Sequence, residues 1–566
     1  MDNNQGDRLP GTLMPVIRPA AVLAMLSLIL ALLFYTVFLN NYEGWTKAGI
    51  ASWVIFGAAF ALPVATAALI GFDRQGVFTL IDIIGAPARR HPRAAVFGIA
   101  AASSLAAIAV ACWVLDRFPN SNDEYAYILQ AKTYASGRLW VDAPPLPEVF
   151  RMPRFLDKNG IWISQYTPGW PIALTPFAFF GVPLWLVNPL LAAGTVLGLF
   201  LLARDQMSPR AAWVALLMLA CSTFFIFNYA SYFSHGVAAL SGVASVLFAT
   251  RHLKRGQWPD AVLAGVCLGF LGLTRPFNAL IFAIPIAISL VLTPGRKAGG
   301  LLIVLGGLPF LAALLFYNAA VTGSPFVMTA AWLHPGGEPL GAPNGKFMME
   351  TVRRLALLAF WSSPLLPAGW AAAFLILLKR GRLELADWIA PATLVAFIFY
   401  GGDSGPHYGP RYYFEAWPFI VLTVCKGLDV GLFQDARQKV ASWAAAAVLV
   451  HFAFVLGYGI PRSLLEHQVV VEREGMYRVV DGMGLKNAVV LVGSDVGKIR
   501  PTVPSDLLQN GLVVGDEPVT YANDLPGYRG RLHAIFPNRA FFAYADGQLS
   551  EIPGGGEDAS GTEKPR

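Results

Sequence analysis

Charge is scarce in this chain. Only 14% of its 566 residues are Asp, Glu, Lys or Arg, where a soluble protein carries about 25%. That shortage excludes a soluble globular enzyme of this length. Apolar residues make up 55% and the mean hydropathy is +0.53. Apolar runs of spanning length recur along the whole chain, so it reads as a polytopic α-helical membrane protein. Cysteine is also scarce. Cys112, Cys221, Cys267 and Cys425 all lie in apolar runs, with neither a disulfide framework nor zinc-ligand spacing. The net charge of +7 is spread over short loops rather than clustered on a soluble segment, which excludes nucleic acid as a partner.

About thirteen spans fit the apolar runs. They lie near 18–39, 49–71, 94–115, 184–203, 211–229, 233–250, 260–274, 277–292, 299–319, 355–378, 387–402, 412–430 and 440–460. The first run is too long for a signal-peptide core and no small-residue cleavage site follows it, so it stays as a span. The apolar stretch 170–181 is short and interrupted by Pro, which makes it re-entrant or interfacial. Basic residues set the orientation. Arg74, Arg89, Arg90 and Arg93 share one loop, Arg204 and Arg210 another. Arg251, Lys254 and Arg255 follow, then Arg296 with Lys297, then Lys379, Arg380 and Arg382, then Lys426, Arg437 and Lys439. With the N-terminus cytoplasmic, all of these fall on the cytoplasmic side of a cell (inner) membrane.

The three large polar segments, 116–170, 320–354 and 461–566, then lie outside. Segment 461–566 differs in composition. Asn487-Ala-Val-Val-Leu-Val-Gly-Ser494, Pro518-Val-Thr-Tyr521 and Ala540-Phe-Phe-Ala-Tyr544 read as short strands, which predicts a small outer-face α/β domain with a disordered tail from about 552. Being outside and tethered by the last span, this domain is expected to help bind or position an acceptor. Residues 1–93 read as additional N-terminal spans, and 94–460 as the catalytic region.

The first outer loop opens on adjacent carboxylates, Asp123 and Glu124. Tyr125, Ile128, Leu129, Tyr134, Leu139 and Trp140 then give an amphipathic helix suited to the interface. Ser121 and Glu124 have capping-box spacing. Two readings stand side by side. Glu124 caps the helix and Asp123 complements its dipole, or one caps while the other faces a site, since neighbours on a helix point about 100° apart. An N-terminal carboxylate is favoured in its ionised form, which suits a base or cation ligand. Further on, Trp162-Ile-Ser-Gln165-Tyr166-Thr-Pro168-Gly169-Trp170-Pro171 forms either a rigid, stacking-capable rim or an ordinary aromatic belt with a turn.

The acidic pair, the helix after it and the Tyr166-Thr-Pro-Gly-Trp-Pro171 turn resemble the GT-C glycosyltransferases. The branch they resemble most is that of the protein O-mannosyltransferases and aminoarabinose transferases. Leu273-Thr-Arg275-Pro276 and Tyr408-Gly-Pro-Arg411-Tyr412-Tyr413 fit the same pattern, and the resemblance covers roughly 94–430. Two features depart from it. Two spans precede the one leading into the acidic loop, and the C-terminal domain matches no known sugar-binding module. The resemblance implies a GT-C fold with a cavity under outer-face amphipathic helices. It also implies a polyprenyl-phosphate sugar donor, and an essential carboxylate at Asp123.

The chemistry asked of such a site is definite. Nucleotide sugars are cytoplasmic, so a sugar used outside must be activated on a lipid phosphate that crosses the membrane. The departing phosphate needs preorganised cations, and the Arg fork matches its oxygens. Arg275 and Arg411 stand at outer helix ends, as phosphate ligands or as snorkelling anchors. Asp123 would deprotonate or orient an acceptor hydroxyl. His407 and His235 are phosphate donors or loop residues, and Lys346 is a further phosphate contact in a lid-length loop, 320–354. A divalent cation (Mg or Mn) stays open as a cofactor. The acceptor stays open among glycan, lipid and protein. A transporter or lipid flippase is the alternative, against which the mid-span stretches are almost free of charge. A scaffold, a polymer ligase and a phosphoethanolamine transferase are weaker. The last needs a hydrolase-like domain rich in Asp and His, for which 461–566 is too short and too poor in His.

Overall fold

The computed structural model describes residues 91–335, 345–363, 366–400, 407–430, 438–493, 508–545 and 547–552. The spans read at 18–39 and 49–71, and the tail beyond 552, lie outside the described residues. In chain order the helices begin with α1 (Pro92–Trp113) and α2 (Asn122–Ala135). Three short strands follow, β1 (Val141–Asp142), β2 (Phe155–Lys158) and β3 (Ile161–Ser164). Then come α3 (Gly169–Phe179), α4 (Val187–Ala203), α5 (Pro209–Ala220), α6 (Thr223–Ala230), α7 (His235–Arg255) and α8 (Trp258–Thr274). Next are α9 (Pro276–Leu292), α10 (Ala298–Thr322), α11 (Thr329–Leu333), α12 (Gly345–Trp361), α13 (Leu366–Lys379) and α14 (Ile389–Ile398). The chain closes with α15 (Trp417–Leu428), α16 (Gln438–Gly482), β4 (Ala488–Val492), β5 (Val519–Asn523), α17 (Arg529–Ile535), β6 (Ala540–Ala545) and β7 (Gln548–Ile552).

Among the described residues, four helices are long and apolar enough to cross a membrane: α1, α7, α10 and the run Leu184–Ala203 that includes α4. The pair α5 and α6, bent by 50° at its break, makes a fifth. Only 22% of the α10 window is buried inside the protein. Phe316, Leu301 and Val304 instead stand exposed, as a lipid-facing helix requires. The protein is a helical membrane protein with several apolar helices. The count of thirteen is not reproduced by length, because α8, α9, α13, α15 and the run Leu385–Ile398 are shorter apolar helices.

Three boundaries differ from the sequence reading. The span read at 355–378 is two helices, α12 and α13, because Ser363 precedes Pro364 and is steered away from helical backbone. Segment 320–354 is not a continuous loop. It holds α11, and α12 already begins at Gly345, where good helix formers such as Met348, Met349 and Glu350 follow. The helix read to end at 460 runs on to Gly482.

Helices α8 and α10 pack through glycine. A Cβ on Gly265 would strike the Ile303 carbonyl, and one on Gly306 the Val262 carbonyl. Such close backbone approach is how apolar helices bind one another without a hydrophobic drive between them. Among the described residues the basic loops around Arg204, Lys254 and Lys426 meet at one end of the bundle, where Lys254 pairs with Glu384 at 3.3 Å and Lys426 with Asp387 at 2.7 Å. At the other end α2 packs against α3, with the β1-β3-β2 antiparallel sheet beside it.

The C-terminal sheet has the order β5-β4-β6-β7, parallel except for β7. It packs on the far face of α2. Ala126 and Leu129 join Trp162, Met476, Val490 and Tyr521 in one buried cluster. Asn523 ties the sheet to the loop between β1 and β2 by donating from both its backbone and side-chain nitrogens to the Val149 carbonyl, each at 2.9 Å.

Candidate active site

Asp123 stands in the first turn of α2, whose N-cap is Ser121. The Ser121 Oγ accepts from the Glu124 backbone N–H at 3.3 Å, satisfying one of the orphan donors of the helix start. Asp123 lines a cavity of about 230 Å³ shared with Tyr127, Gln165, Tyr166, Arg275 and Arg411, and with the rings of Phe277, Phe397, Tyr400 and Tyr412. Its Oδ1 accepts from the Tyr166 hydroxyl at 2.6 Å and from Arg154 Nε at 3.2 Å. Its Oδ2 accepts from Arg411 Nη1 at 3.1 Å. Burial alone would raise the carboxyl. The Arg411 guanidinium, then Arg154 and the Tyr166 hydroxyl, overcome it and hold Asp123 below the usual range. Burial, and then the Asp123 charge, push the Tyr166 hydroxyl up, so it remains a donor.

Glu124 turns the other way. It is 1% exposed and does not line the cavity. Its Oε1 accepts from the Tyr232 backbone N–H at 2.9 Å and its Oε2 from the Ser121 hydroxyl at 3.2 Å. Burial pushes its carboxyl up to about 7 against the pull of these donors. The helical turn thus separates the two acids. One faces the cavity, and the other ties α2 to the bundle.

Arg411 is delivered by a tight corner. Tyr408 and Gly409 take left-handed backbone (φ 57 and 92), and a Cβ on Gly409 would meet Phe224 at 2.8 Å and Trp361 at 3.0 Å. Asn228 donates to the Tyr408 carbonyl at 2.9 Å. The guanidinium of Arg411 then lies 4.0 Å over the Phe233 ring.

Arg275 is delivered by the break between α8 and α9. The Tyr166–Trp170 turn abuts that break, with the Thr167 hydroxyl donating to the Thr274 carbonyl at 2.6 Å. A Cβ on Gly169 would meet backbone atoms of Leu273 and Thr274 at 2.7 Å. The turn therefore braces the arginine from behind. Arg275 Nη1 donates to the Ser234 hydroxyl at 3.1 Å, and its Nε lies 3.2 Å from Glu415 Oε1.

Of the residues read from sequence, Asp123, Tyr166, Gln165, Arg275 and Arg411 come together around the cavity. The Gln165 side chain also meets His334 Nε2 at 3.1 Å. His407 does not line the cavity and packs beside Phe233 and Tyr408. The side chain of Lys346 lies outside the described residues. Arg154 and Glu415 were missed. Arg154 carried no motif, and Glu415 sits two residues before an apolar helix, where nothing in the sequence names its partners.

Among the described residues no group of three or more His, Cys, Asp or Glu side chains could hold a metal ion. The donors around Asp123 are two guanidinium groups and a hydroxyl, a set that suits an anion and not a divalent cation.

A helical membrane protein with a cation-lined cavity at the start of α2 is the class that fold and site define; α2 itself is not the amphipathic interfacial helix expected from the sequence, because Tyr127 and Ala131 are buried against the bundle and Ala126 and Leu129 against the C-terminal sheet. Among solved structures the chain is similar to ArnT from Cupriavidus metallidurans in the apo state. The two share 15% identity and a TM-score of 0.49, over 75% of this chain and 88% of that one. The same protein bound to undecaprenyl phosphate matches at 15% identity and TM-score 0.47, over 73% and 84%. The archaeal oligosaccharyltransferase AglB from Archaeoglobus fulgidus, in complex with an inhibitory peptide and a dolichol-phosphate, matches at 14% identity and TM-score 0.44, over 81% and 70%. No family model matches the chain, and no curated protein does.

Proposed function

We propose that this protein is a glycosyltransferase that moves a sugar from a polyprenyl-phosphate donor to an acceptor at the outer face of the membrane. The observation that carries the reading is the cavity wall itself, where two guanidinium groups, Arg275 and Arg411, converge with one carboxylate, Asp123. Its balance is cationic, as a phosphate leaving group demands. What supports the outer face is the charge of the loops at the opposite end of the bundle, where Lys254 and Lys426 lie.

Displacement at the anomeric carbon places negative charge on the departing phosphate. Arg275 and Arg411 receive it, and burial makes their attraction stronger than in water. Asp123 holds the Arg411 and Arg154 guanidinium groups toward the cavity and orients the acceptor. Held below the usual carboxylate range, it is a weak base. Tyr400, Tyr412, Phe277 and Phe397 give the sugar an aromatic wall.

The test is transfer by purified protein in lipid, from a panel of polyprenyl-phosphate sugars, with Asp123→Asn beside wild type. Lipid-dependent transfer that collapses in the variant is the expected result. Wild type that transfers nothing from any donor would favour the transporter reading.

A further inference from the structure

We propose that His235, oriented by Glu415, takes the proton from the acceptor hydroxyl; the inference rests on the glycosyltransferase reading above. Three observations meet here. His235 lines the same cavity as Asp123, Arg275 and Arg411. Its Nδ1 lies 3.0 Å from Glu415 Oε1, with both side chains buried, at 3% and 0% exposed. Its other ring nitrogen, Nε2, makes no hydrogen bond among the described residues.

The tautomer follows from the partner. The Glu415 carboxylate is paired with the Arg275 guanidinium at 3.2 Å, and an ionised carboxylate only accepts. With Glu415 ionised, Nδ1 carries the hydrogen and donates it to Glu415. That leaves the lone pair on Nε2, the nitrogen with no partner among the described residues. A carboxylate that fixes the tautomer and stabilises the imidazolium is the arrangement that makes histidine a general base. Asp123 is less suited to the task, because Tyr166, Arg154 and Arg411 already occupy both of its oxygens.

The step balances within the cavity. The acceptor O–H bond breaks and its proton goes to His235 Nε2. The oxygen pair forms the bond to the anomeric carbon, and the bond from that carbon to the phosphate oxygen breaks. The electron pair leaves on the phosphate, beside Arg275 and Arg411. The imidazolium then faces Glu415, and its proton passes to the phosphate product or to water. Glu415 is a positioning residue in this scheme. It serves two groups, since the same oxygen orients His235 and pairs with Arg275.

The experiment measures kcat and KM for both substrates in wild type, His235→Gln and Glu415→Gln, with binding of polyprenyl phosphate as a separate readout. His235→Gln should lower kcat by about 10²–10⁴-fold. Its donor KM and its binding of polyprenyl phosphate should stay within about twofold of wild type. Glu415→Gln should lower kcat less and raise the donor KM as well, because Arg275 loses its partner. Azide carries no proton to remove, so its reaction with the donor should run equally fast in wild type and His235→Gln. Wild-type kcat in His235→Gln would overturn the proposal. So would a defect confined to donor KM or to polyprenyl-phosphate binding, which would make His235 a phosphate ligand. If His235→Gln does not fold, Glu415→Gln decides, and wild-type kcat there overturns the proposal. A wild-type protein without transfer would instead overturn the glycosyltransferase reading, and this inference with it.

Discussion

Asp123 accepts from three side chains at once, so replacing it changes more than one group. Asp123→Asn leaves Arg154 and Arg411 without their counter-charge, and transfer is expected to fall by about 10²–10³-fold or more. Arg411→Lys keeps the charge but loses the planar fork, and should cost transfer about tenfold while leaving the fold intact. Glu124 gives a prediction of different kind. Its carboxyl is raised to about 7, so below that pH the folded state keeps a proton that the unfolded state releases. Its contribution to stability is full at acid pH and is lost as pH rises from the ordinary carboxylate range to about 7. Glu124→Gln should therefore flatten the pH dependence of thermal unfolding in that window. Asp123 acts in the opposite sense, since its lowered carboxyl contributes above the ordinary range and fails only as pH falls below it. At this scale Asp123, Arg275 and Arg411 were legible because each sits in a short motif at an element boundary. Glu415 was not, because its histidine partner lies 180 residues away.

At the scale of elements, the glycines of α8 and α10 separate packing from mere helix content. Gly265→Ala would drive a methyl group into the Ile303 carbonyl, whereas Gly300 on α10 has nothing within 4 Å. Gly265→Ala is expected to destabilise by about 1–3 kcal/mol, and Gly300→Ala to be neutral or slightly stabilising. Thermal unfolding of the two variants in one detergent checks this. Gly169→Ala presses on the Thr274–Arg275 corner instead, so its expected effect is a raised donor KM. Apolar run length located most helices among the described residues but not their bounds or the number that span, because each helix satisfies its own backbone hydrogen bonds whether or not it crosses lipid. It could not show that 355–378 breaks at Ser363. Nor could it show that the helix read to end at 460 runs on through Pro461 to Gly482, since a proline after an apolar run reads as a stop.

At the scale of the whole molecule, the C-terminal sheet and the first polar loop are one body. Val149 and Phe150 are buried with Val489, Leu491 and Phe541, and Trp162 with Val490 and Tyr544. Asn523→Ala removes the side-chain half of the Val149 clamp. Hydrogen exchange in the β1-β3-β2 sheet should then rise together with exchange in β4 and β5. The sequence placed β4, β5 and β6 of this sheet but not β7, and not the surface they cover, because a contact with α2 leaves no periodic mark in the strands themselves. The 45 residues of α16 advance about 68 Å along the helix axis at 1.5 Å each, roughly twice the thickness of a hydrocarbon core. Arg462, lying over the Trp361 ring, grips this helix partway along. The helix therefore acts as an indexing shaft: beyond that grip, every inserted residue would turn the sheet by about 100°, while four would bring it back to within about 40° of its starting phase. Angular register, and not length alone, decides whether the sheet still meets α2.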